Sequence, residues 1–102
     1  MNKVFEALAS APRREILAYL AEAELTAGDI AARFSMSKPA ISRHLAILES
    51  AGLIHGDKRG QYVHYCLVRE NLINVLNGYV QEVCPVARPL KRESRRLGKR
   101  RK

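Results

Sequence analysis

Apolar positions recur along most of this chain with a helical period and then, over one short stretch, with a period of two. The clearest helical pattern lies within 30–53. Ile30, Ala31 and Phe34 mark a short helix and Ser35-Met36-Ser37 a tight turn. Ile41, Leu45 and Leu48, at i, i+4 and i+7, then form the buried stripe of a longer helix. Ser37 is placed to cap that helix, and Pro39 stands in its first turn, where no backbone donor is needed. On a wheel of about 100° per residue, Pro39, Ser42, Arg43 and Ala46 point away from the stripe. A face that small, polar and cationic is slim enough to approach base edges. Short helix, turn and longer helix make the helix-turn-helix pattern, whose second helix enters the major groove.

The same period places a first helix over 2–10, with Val4, Phe5 and Leu8 on one side. A second, capped by Ser10 with Pro12 in its first turn, runs to about Ala23 and buries Ile16, Leu17 and Leu20. Thr26 caps a third helix, with Asp29 in the position of a capping-box partner. After Gly52 the period becomes two. Leu53-Ile54-His55 and 62–67 are β-prone segments flanking Gly56-Asp57-Lys58-Arg59-Gly60, a turn-rich tip. The expected fold is mainly α with a small β-hairpin: a winged helix-turn-helix of order ααααββα, with Val63, Tyr65 and Leu67 packed on the helices. Over 70–83, Leu72, Ile73, Leu76, Tyr79, Val80 and Val83 form a stripe broader than a wing needs to cover, and a contiguous apolar patch of that kind marks an interface. The expectation is a two-fold homodimer through the first and last helices (Val4, Phe5 and Leu8 with the stripe just named), setting two reading heads about one DNA turn apart on a palindromic operator.

Charge sharpens the choice of partner. The net charge of the 102 residues is +8, and 88–102 carry nine Lys/Arg against one Glu, so that 1–87 are neutral overall. Within that body, 32–69 hold six bases and two acids, and 1–31 three bases and five acids. The body is therefore polarised, with its positive end on the proposed reading head, and a polyanion is the natural partner. The division expected is a DNA-binding and dimerisation domain over 1–87 and a basic, disordered tail over 88–102 that grips phosphates non-specifically. Lys38, Pro39, Ser42, Arg43 and His44 are expected to read or position the major groove, Lys58 and Arg59 to anchor the wing, and Arg13 to add a phosphate contact. For His44 a hydrogen bond within the motif is the equal alternative, and for Arg13 a solvated helix start is the stronger competing reading.

These stretches resemble the ArsR/SmtB family of bacterial repressors: LASAPRREIL (8–17), ELTAGDIAARFSMSKPAISRHLAILESAGLI (24–54) and KRGQYVHYCL (58–67). The likeness is greatest to the branch of sporulation-delay autorepressors, whose members lack metal ligands. It implies a homodimeric winged-helix regulator that occupies an operator near its own promoter, relieved by a sequestering partner or by a small-molecule inducer. The family's metal sensors carry thiolates in the third helix, where this chain has Thr26 and Gly28, and Asp and His on the last helix, where it has Asn71, Asn74, Asn77 and Gln81. Neither set binds a soft or borderline ion, so no metal and no cofactor is expected. Many members have Gly where this chain has Ser35, which is costly if that residue needs a positive φ.

The remaining reactive residues carry little. His55, His64 and Cys66 share the wing, where an exposed polar strand face competes with a metal site. Cys66 and Cys84 suit reduced thiols better than a redox pair. No Ser-His-Asp order, paired carboxylates or Gly-rich phosphate loop emerges, so no enzyme is expected. The chain has no run of apolar residues long enough to span a bilayer and no leader pattern, which points to a cytoplasmic, nucleoid-associated protein. A general nucleic-acid-binding or architectural protein driven by the tail is the main alternative, and a protein–protein adaptor a further one.

Overall fold

The computed structural model describes residues 2–84; Met1 and 85–102, the basic tail among them, lie outside the described residues. The elements are α1 (Asn2–Leu8), α2 (Ala11–Leu20), β1 (Leu25–Thr26), α3 (Ala27–Ala31), α4 (Lys38–Ser50), β2 (Ile54–Arg59), β3 (Tyr62–Leu67) and α5 (Arg69–Val83). The expected order of four helices, a hairpin and a last helix is observed, with one short strand added.

Local chemistry explains the helix starts. The Ser10 hydroxyl accepts from Arg13 N at 3.4 Å, with Pro12 in the first turn, and the Ser37 hydroxyl accepts from Ala40 N at 3.3 Å, with Pro39 likewise placed. Thr26 and Asp29 complete a reciprocal capping box, both bonds at 3.1 Å. Those bonds, from the Thr26 backbone first, hold the Asp29 carboxyl below the usual carboxylate range. Helix α4 ends in a Schellman motif: Leu53 N donates to Leu48 O and Gly52 N to Glu49 O, each at 3.0 Å. Gly52 takes φ +76° there, and Leu48 and Leu53, fully buried, supply the accompanying apolar contact. Asn71 Nδ2 donates to Gly52 O at 2.8 Å and closes the junction. No non-glycine residue described has a positive φ, so Ser35 turns the chain between α3 and α4 without strain.

Helix α2 is shorter than its sequence pattern suggests. It ends at Leu20, capped by Ala21, and 22–24 lead into β1 instead of extending the helix to Ala23. Leu25 pairs with Tyr65 and Thr26 with His64, giving a three-stranded antiparallel sheet of order β1-β3-β2 where a two-stranded hairpin is expected. An isolated hairpin is marginal in water, and the third strand gives β3 two pairing edges. The turn-rich tip also contracts: β2 continues through Lys58 and Arg59, which pair with Val63 and Tyr62, leaving only Gly60-Gln61 as the loop. Gly60 takes φ +62°, the Gly-first order of a type II′ turn.

The chain divides after Leu72 into two units. The core of the first is built from Ala7 of α1, Ile16 and Leu20 of α2, Ile30 of α3, the Ile41-Leu45-Leu48 stripe of α4, and Leu53 and Ile54 entering the sheet. Val4, an expected interface residue, is also part of this core at 5% exposure, because α1 packs against α2 and α4. Phe5 and Leu8 remain half-buried. Helix α5 has no buried residue. Leu72 is half-buried, and Ile73, Leu76, Tyr79, Val80 and Val83 are exposed, Ile73 and Val83 by more than half. Among the described residues, no helix is long and apolar enough to cross a membrane.

Candidate nucleic-acid interface

The outer face of α4 is formed by Lys38, Pro39, Ser42, Arg43 and Ala46, all exposed, while Ile41, Leu45 and Leu48 on its inner face are at most 1% exposed. Helix propensity and capping place these side chains, and the depth of the inner stripe fixes which way the outer ones point. Lys38 and Arg43 make no hydrogen bond or ion pair with any described residue. Their charge is therefore available to a partner. Two shallow grooves flank the helix. One, against α3, is lined by Ala27, Gly28, Ala31, Lys38, Ile41 and Ser42; the other, against α1, by Lys3, Glu6, Arg43, Ala46, Ile47 and Ser50. Lys3 beside Arg43 is a cation that helical periodicity on separate elements does not reveal.

The wing offers unequal cations. Lys58 is exposed without an ion pair, whereas the Arg59 guanidinium is held by Asp57 at 3.0 Å and by Glu24, preceding β1, at 3.1 Å. Those carboxylates, Asp57 first, hold Arg59 firmly in its charged form and neutralise it locally. Asp57 lies two residues away on the same strand, but Glu24 reaches Arg59 only because β1 joins the sheet.

Arg13 is placed differently from a free phosphate contact. Its guanidinium reaches carbonyls near the end of α1, Ala7 O at 2.8 Å and Glu6 O at 2.9 Å, and the His44 ring at 3.2 Å. Arg14 joins it on Leu8 O at 2.7 Å, so two cations cap the negative end of α1. His44 is half-buried. Burial first, and then Arg13 and Arg43, lower the pKa of its imidazole below the ordinary histidine value. Arg33 stacks near the Tyr19 ring, 5.9 Å from its centroid, an arrangement within cation–π reach.

In the wing, His55 stands opposite Cys66 and His64 opposite Asp57. No three His, Cys, Asp or Glu side chains among the described residues are grouped to hold a metal ion. Cys66, half-buried, and Cys84, exposed, are free thiols. Thr26 uses its hydroxyl as the α3 cap, and Gly28 offers no side chain, so the positions matching the metal sensors' thiolates serve the helix start.

Comparison with known proteins agrees with this geometry. Residues 11–55 match the family model described as bacterial regulatory protein, arsR family. The chain is 41% identical over 85 residues to the transcriptional repressor SdpR of Bacillus subtilis, covering 80% of this chain and 94% of that protein. It is also 41% identical over 66 residues to the arsenical resistance operon repressor of Escherichia coli, covering 64% of this chain and 56% of the relative. Among solved structures, an ArsR-like transcriptional regulator from Rhodococcus superposes with a TM-score of 0.78 at 28% identity, over 96% of this chain and 90% of the other. Read with the exposed cationic helix and the three-stranded wing, these relationships make the chain a member of the ArsR family: a DNA-binding transcriptional regulator of winged helix-turn-helix fold, and not an enzyme.

Proposed function

We propose that this regulator is a repressor that occupies a palindromic operator as a two-fold homodimer, its own promoter among its targets. The observation that carries the reading is the outer face of α4, where Lys38 and Arg43 stand exposed and unpaired around small residues that leave room for base edges. In this reading Ser42 and Arg43 face bases, Lys38 and Pro39 set the helix start against the backbone, and Lys58 carries the wing's phosphate contact. Arg59 contributes less, because Glu24 and Asp57 already satisfy it. The exposed Ile73, Tyr79, Val80 and Val83 of α5 support dimerisation, with Phe5 and Leu8 of α1 as further candidates and Val4 removed to the core. The tail over 88–102 adds a non-specific phosphate grip. SdpR, a named repressor aligned over most of both chains, supports repression as the outcome.

Selection of duplexes from a random pool by the full chain, followed by competition against bulk RNA and random duplex DNA, tests the reading. A regulator retains an inverted-repeat site against excess competitor. Equal loss of every duplex to competitor makes the chain a general nucleic-acid binder.

A further inference from the structure

The fold joins two residues that the sequence offers separately as DNA contacts. Arg13, from α2, donates through Nη1 to His44 Nδ1 of α4 at 3.2 Å while its Nε and Nη2 grip Ala7 O and Glu6 O of α1. An arginine has only donors, so Nδ1 is the acceptor and the ring is the neutral tautomer protonated on Nε2. One side chain thus ties the end of α1 to the middle of α4, and its partner is the residue next to Arg43. The charged groups around His44 are Arg13 from α2 and Arg43 on α4 itself. Lys3 and Glu6 of α1 line the groove next to Arg43, and Glu6 meets Arg13 through its carbonyl alone.

We propose that Arg13 and His44 are positioning residues: their bond sets the pose of α4, and so of Arg43, for DNA binding, and neither residue contacts DNA. The inference rests on the regulator reading above. A hydrogen bond reaching across three helices fixes a geometry that sliding of packed side chains does not, and base readout tolerates little displacement of the guanidinium. Protonation of His44 removes the acceptor and opposes two cations, so operator affinity falls as pH drops through the pKa of this ring, which burial, Arg13 and Arg43 hold below the ordinary histidine value. A histidine touching phosphate behaves in the opposite sense, binding more tightly as it gains charge.

The test uses the full chain with His44→Leu, His44→Asn and Arg13→Gln, on the duplex selected by the wild type and on a random-sequence duplex. The asparagine amide oxygen stands in for Nδ1 as a neutral acceptor. His44→Leu should lose roughly tenfold in affinity for the selected duplex and His44→Asn less than about threefold, as expected for one hydrogen bond to a charged group. The slope of log affinity against log salt should stay unchanged in both, and the acid-side loss seen in the wild type should vanish. Nitrogen-15 imidazole spectra of the DNA-free protein should show Nδ1 unprotonated, and Arg13→Gln should raise the pH at which the ring titrates. Should Arg13→Gln not fold, the two His44 variants, checked by circular dichroism, carry the test. A ring protonated on Nδ1, an unchanged affinity in His44→Leu, a salt slope flattened by about one, or tighter wild-type binding at low pH overturns the proposal. A wild type that prefers no sequence defeats the regulator reading instead, while the tautomer and the two His44 variants on random duplex still decide the coupling.

Discussion

Arg43 and Arg59 show how little a residue's type says about its availability. Both are exposed arginines on the expected DNA-facing elements, yet only Arg43 is without a carboxylate partner. Arg43→Ala is expected to weaken selected-duplex binding by about 1–3 kcal/mol and to relax one base position, the value of a bidentate arginine–guanine contact. Binding titrations over single-base variants of the site check it, and an equal loss on random duplex would make Arg43 a phosphate contact. On the wing, Lys58→Ala should flatten the salt slope by about one, and Arg59→Ala by less. Glu24→Gln should act in the other direction, strengthening binding to all duplexes as Arg59 loses one of its two carboxylates. At Gly52, whose φ of +76° suits glycine, a Cβ would also meet Asn71 Nδ2 at 3.3 Å. Gly52→Ala is expected to cost about 1–2 kcal/mol in denaturant unfolding, the left-handed penalty for a residue with a side chain.

At the scale of elements, α4 is specified at both ends and along one face. Ser37 and Pro39 start it, the Schellman motif stops it, and the buried Ile41-Leu45-Leu48 stripe orients it. Ser37→Ala is expected to lower stability by about 1 kcal/mol, the usual worth of an N-cap, read as a shift in the unfolding midpoint with the slope unchanged. All three helix caps and the buried stripe of α4 were legible in the sequence because each depends on residues within one or two turns. Strand β1 was not. Two residues have no readable period, and Leu25–Thr26 are strand only because β3 passes alongside them. That pairing also brings Glu24 to Arg59, so the quietest element in the sequence tempers a cation in the wing.

For the molecule as a whole, the proposed roles of α5 in dimerisation and of the tail in gripping phosphates predict how binding scales with concentration and salt. A fifteen-residue helix with no buried position and exposed Ile73, Tyr79, Val80 and Val83 is unusual for a lone subunit. Val80→Glu should shift sedimentation equilibrium towards the single subunit while leaving helix content intact, and should weaken binding to a two-half-site duplex far more than to one half-site. A dimer that persists in Val80→Glu would place the interface elsewhere. If the tail grips phosphates non-specifically as proposed, deleting 88–102 should flatten the salt dependence while preserving the rank order of duplexes.

By itself the sequence determined which segments are helical, where α4 begins and ends, and which of its faces looks outward. These follow from neighbours three or four residues apart, whose geometry is set before the chain packs. Only the tertiary structure decided which exposed charges are already answered. Glu24 meets Arg59 across 35 positions, Arg13 meets His44 across 31, and Val4 leaves the expected interface for the core. Contacts at that separation depend on how strands and helices cross, and periodicity along one element carries no record of what another brings beside it.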